Sequence, residues 1–230
     1  ATYTVAVVAN GSLVPLLNDG LVRPMDDLVA KYGKDLQPNQ LIKIDGKVMA
    51  IAFMANAQHL MYRKSLLDAA GIAPPKTYED IVAAAVTLKS KGAANGMVVA
   101  NFKPGWDLAQ EFVNMYTGFG GEFFEPGTAK TAIGGEAGVK ALGMMKSLAD
   151  NMGPEYMTYE TNGLGPVWEA SQAAMMNMWG SRAGAIMDPK GAAPAVAADT
   201  VMAAAPTVGG GAIPATTLWW DGFAIAKNIS

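Results

Sequence analysis

The 230-residue sequence contains no cysteine, which excludes disulfide bridges, thiolate metal sites and cysteine nucleophiles and suits an oxidising compartment without fixing one. Histidine occurs once, as His59, so multi-histidine metal sites are ruled out. Neither an H-E-x-x-H helix nor acids at calcium-loop spacing occur. No metal and no cofactor are expected. No G-x-S-x-G elbow is found, and a serine–histidine–acid relay would have to recruit that one histidine. Charged residues make up only 16% of the chain and the formal net charge is −3, so a basic stripe for nucleic acid is missing and no polyanionic partner is expected. No apolar run approaches the roughly 18–20 residues of a membrane span, and no basic-then-apolar leader opens the chain. The glycine clusters "GFGG" and "VGGGA" lack both the Lys-Ser/Thr of a phosphate loop and the strand–loop–helix setting of a dinucleotide fingerprint, and they read as turns.

What the sequence does contain is enough apolar residue, 51%, to bury one large core or two small ones. "TYTVAVVAN" reads as a buried strand ending at the polar loop Asn10-Gly11-Ser12, and "DGKVMAIAF" as a second strand that runs into Asn56, Gln58 and His59. "LVRPMDDLVAKYG" predicts a short helix with Pro24 at its start and Gly33 at its exit. "KSLLDAAG" predicts another, closed by Gly71. The clearest helix is "PPKTYEDIVAAAVTLKSKG", with Thr77 and Asp80 at capping-box spacing and Gly92 past its end. "GMVVAN" and "AMMNMW" predict strands. "GWDLAQEFVNMYTGFGG" predicts a helix, and "GEAGVKALGMMKSLADN" another with Val139, Leu142, Met145 and Leu148 on one face. Pro166 starts a short helix carrying Trp168. "DPKGAAPAVAADT" has no apolar period and reads as a connection, and "VMAAAP" and "GFAIAKN" are the last strands. Strands alternating with helices predict α/β units, whose ligands gather beyond the carboxyl ends of strands.

Asn10, Asn56, Trp106 and Trp179 fall just past predicted strands, while Trp219, Trp220 and Asp221 stand at the mouth of one. Indole rings beside amides and acids suit neutral polyhydroxylated ligands, which offer C–H faces to stack and hydroxyls to bond. Each tryptophan could instead fill a core. Trp168, on a helix, reads that way, whereas Trp106 and Trp179, beside glycine and polar residues, read as site. Trp219 and Trp220 are strand neighbours that must point to opposite faces, so one can be core and the other exposed to a ligand. His59 reads as structural, and the methionines of "MMKSL" and "AMMNMW" as packing.

The stretch "LMYRKSLLDAAGIAPPKTYEDIVAAAVTLKSKG" resembles the extracellular solute-binding proteins of ABC importers, in particular the sugar-binding group that includes maltose-binding protein. The resemblance extends over almost the whole chain, through "DGKVMAIAF", "YRK", "AAGI", "PPKTYEDI", "GFGGEFFE" and "EASQAAMMNMWGS". Arg63 stands where that family has asparagine, and the family's proline is absent from "AIAFMANA". The resemblance implies a periplasmic-binding-protein-like α/β fold of two lobes joined by crossing hinge segments, with the ligand between them. It assigns 1–53 and 198–208 to the first lobe, 57–187 to the second, 54–56 and 214–222 to crossings, and 223–230 to a strand returning to the second lobe. It implies ligand contacts from Asn10, Ser12, Asn56, Gln58, Trp106, Trp179, Trp219, Trp220 and Asp221. Family members carry a strand–helix–strand unit before anything like "TYTVAVV" and several helices after anything like "GFAIAKN", so an internal fragment with an incomplete first lobe is expected.

The function so implied is non-catalytic capture of a neutral sugar, oligosaccharide or polyol, by a protein that is monomeric when complete, and delivery to the membrane permease of an ABC importer from the periplasm or cell exterior. The alternative is a carbohydrate-active enzyme, specifically a glycosidase. That chemistry needs two carboxylates roughly 5–9.5 Å apart, and Asp107, Glu111, Glu160 and Asp221 are the acids near aromatics that could supply them.

Overall fold

The computed structural model describes residues 3–229. The elements run β1 (Val5–Ala9), α1 (Leu13–Asn18), β2 (Val22–Arg23), α2 (Asp26–Tyr32), β3 (Leu41–Ile44), β4 (Lys47–Asn56) and β5 (Gln58–Arg63). They continue with α3 (Lys64–Ala70), α4 (Tyr78–Ser90), β6 (Val98–Val99), α5 (Trp106–Gly118), α6 (Glu136–Ala149), α7 (Leu164–Glu169) and β7 (Met175–Trp179). The last are α8 (Ala183–Ile186), α9 (Pro194–Asp199), β8 (Thr200–Ala203) and β9 (Trp219–Ala226). The chain divides into two compact units: it leaves the first after Asn56, builds the second from Ala57 to Thr217, and rejoins the first at Leu218.

The first unit is a five-stranded sheet in the order β1-β9-β4-β3, with β2 also on β9. All of its pairings are antiparallel. Alternation along β9 sends Trp220 and Ala224 to the face that packs on Val8, Leu13, Met49 and Ala50. The opposite face carries Phe223, stacked on Phe53 with ring centroids 4.6 Å apart, beside exposed Val5 and Val7. Gly222 lets the Trp220 ring fold back over its own strand, since a Cβ there would lie 2.7 Å from the Ile51 carbonyl oxygen and 3.1 Å from that ring.

The second unit is a four-stranded sheet, β6-β7-β5-β8, flanked by helices. Only β6–β7 is parallel. The antiparallel majority differs from the strand–helix–strand reading, because β5, β7 and β8 are joined by long excursions rather than single crossover helices. Its core gathers Leu60, Leu67, Ile81, Leu88, Met115, Tyr116, Met145, Leu148 and Met175. Helix α4 forms as its sequence directs: Thr77 Oγ1 accepts from Asp80 N at 3.0 Å, and Asp80 Oδ2 accepts from Thr77 N at 3.0 Å. Gly71 closes α3 in the left-handed conformation at φ 71°.

Four expectations are corrected. Residues 198–208 belong with the second unit, because β8 pairs with β5 and Asp199 binds Arg63 at 2.9 Å. The strand from residue 223 onward stays in the first unit, because β9 is hydrogen-bonded to β1, β2 and β4 along its length. Within "DPKGAAPAVAADT" a short helix, α9, forms behind Pro194 and buries Val196 and Ala197. On α6 the buried positions are Gly138, Ala141, Met145 and Leu148, while Val139 and Leu142 are exposed. A step of three residues turns a helix about 60° short of a full revolution, so the stripe 139-142-145-148 winds off one face.

Candidate functional site

In the second unit, Gly105 adopts φ 116°, a conformation other residues rarely reach, and so turns the chain sharply into α5 at Trp106. Trp106 is 53% exposed and its ring stacks on that of Trp179, which ends β7 and is 5% exposed. The centroids lie 6.1 Å apart with 24° between planes. An open indole braced from beneath by a buried one is a flat apolar platform, of the kind that accepts the C–H face of a sugar or polyol.

Gln58, opposite Trp179 on β5, is 1% exposed. Both ends of its amide are engaged: Oε1 accepts from Asn114, and Nε2 donates to Glu111 Oε1 at 3.1 Å. It therefore lies inside the support of the platform rather than on its surface, unlike the contact role expected for it. Glu111, 3% exposed, is the hub of that support. Besides Gln58 it accepts from Asn101 Nδ2 at 3.2 Å and from Asn177 Nδ2 at 3.1 Å. Burial raises its carboxyl pKa to about 7, and the amide hydrogen bonds only partly oppose this. The network extends from Asn101 Oδ1, which accepts from Thr161 Oγ1, to Asp107, which accepts from Thr161 N and is bonded to its hydroxyl. Asn114 joins it to Gln110 and Thr217. The unpartnered buried atoms include Tyr78 Oη and Asn177 Oδ1, both in this region.

In the first unit, Asn56 pairs opposite Trp219 and Met54 opposite Asp221. Trp219 and Asp221 share a face and are joined, Trp219 Nε1 donating to Asp221 Oδ1 at 3.1 Å. Trp220 packs on the core side. Asn10 uses both ends of its amide to clamp the start of β9: Nδ2 donates to Leu218 O at 3.2 Å and Oδ1 accepts from Trp220 N at 3.0 Å. Ser12 Oγ closes its own turn by accepting from Ala9 N at 2.8 Å. The structure thus groups Asn56, Trp219 and Asp221 on one unit and Trp106 with Trp179 on the other, while Asn10, Ser12, Gln58 and Trp220 have identifiable structural tasks. His59 is structural too, its Nδ1 3.0 Å from Ala57 O.

The acids weighed for glycoside hydrolysis are each committed elsewhere. Asp107 holds Thr161, Glu160 pairs with Lys103 at 3.0 Å, Glu111 is sealed among amides and Asp221 holds Trp219. The residues that sequence reasoning missed, Asn101, Asn114 and Asn177, had a faint signal. Asp107, Gln110, Glu111 and Asn114 form a polar stripe at helical spacing, and Asn177 interrupts a run of methionines.

Fold and site together describe an α/β binding protein built of two units. Residues 1–229 match the family of bacterial extracellular solute-binding proteins, and the chain belongs to that family. It is similar to the melibiose/raffinose/stachyose-binding protein MelE of Bacillus subtilis (strain 168), 35% identical over 92 residues that cover 39% of this chain and 21% of that protein. Among solved structures it resembles an ABC transporter solute-binding protein of Agrobacterium radiobacter K84 in complex with ribitol. That match has a TM-score of 0.83 and 26% identity, over 99% of this chain and 58% of the other. The maltose-bound MalE3 of T. maritima shares the fold, with TM-score 0.82 at 20% identity over 99% and 58%. The chain thus spans little more than half the length of these two structures.

Proposed function

We propose that the protein captures a neutral polyhydroxylated ligand, a small sugar or polyol, without altering it, and delivers it to the membrane permease of an ABC importer outside the cytoplasm. The observation that carries this reading is the exposed Trp106 ring stacked on the buried Trp179 ring. Stacking on C–H faces needs an open, rigid ring, and the buried partner supplies the rigidity. Family membership and the ribitol held by the Agrobacterium radiobacter relative point to the same ligand class. The deciding experiment is calorimetric titration of the full-length protein with ribitol, melibiose and raffinose. Saturable heat from at least one, reduced in the Trp106→Ala variant, supports capture, and silence from all three together with a wider polyol and sugar panel refutes it.

A further inference from the structure

Capture by stacked rings does not need a buried acid, yet Glu111 sits where the elements carrying the two rings converge. Trp106 opens α5, the helix that bears Glu111. Trp179 follows Asn177 by two residues on β7, and Asn177 Nδ2 donates to Glu111 Oε2 at 3.1 Å. Gln58 brings in β5, and Asn101 brings in the segment after β6, which Thr161 ties back to Asp107 beside Trp106. One carboxyl group is thus the common acceptor for side chains from both sides of the platform.

The groups around it define two states. β5, β7 and the segment after β6 present only amides, Gln58, Asn177 and Asn101. α4 presents the buried Tyr78 phenol, whose pKa rises well above its ordinary value through burial and through the charge of Glu111. On α5 itself Asp107, one turn earlier, is occupied by Thr161, and His59 alternates to the other face of β5. No ion pair involves Glu111 among the described residues. As a carboxylate it is therefore a buried charge held by dipoles alone, which draws in water and strains its neighbours. As a neutral acid it needs an acceptor for its proton, and a turn of the Asn177 amide exchanges the Nδ2 donation for an O–H bond to Oδ1, an oxygen otherwise without a partner, so that the link between β7 and α5 is kept.

We propose that Glu111 is a proton-linked positioning residue: as the neutral acid it closes the amide cluster and holds Trp106 against Trp179, and as the carboxylate it loosens that hold. The step moves one proton from hydronium to the carboxylate: an O–H bond of hydronium breaks, an O–H bond on Glu111 forms, and water is left. Its bearing on capture rests on the reading that this ring pair stacks on the ligand, which makes capture strongest on the acid side of neutrality.

The test uses full-length protein labelled with 5-fluorotryptophan, the resonances of Trp106 and Trp179 being assigned through Trp106→Phe and Trp179→Phe. Between about pH 5.5 and about pH 8.5, a range that spans a neutral transition, both resonances should move together through one midpoint near neutrality. Glu111→Gln should abolish the movement and leave both at their acid-side positions. Resonances that stay flat in the parent, or that titrate unchanged in Glu111→Gln, overturn the proposal. If Glu111→Gln does not fold, Gln58→Met decides. Loss of an N–H donor to the carboxylate favours the neutral form and should raise the midpoint, and an unmoved midpoint overturns the proposal. Ribitol added at each pH separates the two readings: resonances that titrate with pH but never respond to ribitol uphold Glu111 and count against the stacking role.

Discussion

Asn177 Nδ2 donates to Glu111 Oε2 across 3.1 Å, joining the strand that ends in Trp179 to the helix that begins with Trp106. Because this bond and its companions are sealed from water, the protonation of Glu111 bears on stability as well as on the site. Its folded pKa is about 7 against an ordinary 4.5, so the folded state binds more protons than the unfolded state between those values. The stabilisation is fully present below about pH 4.5 and is lost as pH rises through 7. At about 1.4 kcal/mol per unit this amounts to about 3 kcal/mol. Denaturant titrations of the parent at acid and alkaline pH should show a fall of that order, and Glu111→Gln should remove most of the difference.

The two stacked indoles should separate in mutagenesis. Trp106→Ala removes an exposed ring and should weaken ligand binding by about 1–3 kcal/mol with little change in melting temperature. Trp179→Ala empties a buried site and should lower stability by about 3–5 kcal/mol. Calorimetry paired with thermal melting of each variant checks both halves.

Arg63 Nε and Asp199 Oδ2 lie 2.9 Å apart with side chains largely buried, and Asp199 also accepts from Ser65 N at 2.7 Å. Asp199→Ala strands the guanidinium and should destabilise the second unit by about 3 kcal/mol. The double variant Arg63→Met/Asp199→Leu should recover part of that loss, which chemical unfolding would register.

The stacked Phe53 and Phe223, with exposed Val5 and Val7, form an apolar strip on the sheet of the first unit. Such a strip promotes association. The 230-residue chain should sediment as a concentration-dependent oligomer, and Phe53→Ser/Phe223→Thr should shift it towards monomer.

Features that depend on local backbone chemistry were legible in the sequence: the Thr77–Asp80 box, the Gly71 cap and the opposite facing of Trp219 and Trp220. Those that depend on tertiary surroundings were not. The stripe of Asp107, Gln110, Glu111 and Asn114 has the pattern of a solvated helix face, and only the amides arriving from β5 and β7 make it an interior one. The helix from Pro194 to Asp199 is too short to show a period, and its order comes from Val196, Ala197 and the Arg63 contact. The division of the candidate site also eluded the pattern, since Asn10 and Gln58 look like any loop or strand-end amide until both ends of each are accounted for.

Strand β9 lies between β1 and β4 in the first unit, yet the whole of the second unit separates it from them in the sequence. Everything from Ala57 to Thr217 must emerge before β1, β2 and β4 acquire their shared partner. The second unit is continuous in sequence and can assemble as soon as it is made, whereas the first must wait with unsatisfied strand edges until a distant segment arrives. The segment before Ala57 therefore completes its sheet only after the second unit has been made, and during that interval its open edges are a target for a chaperone.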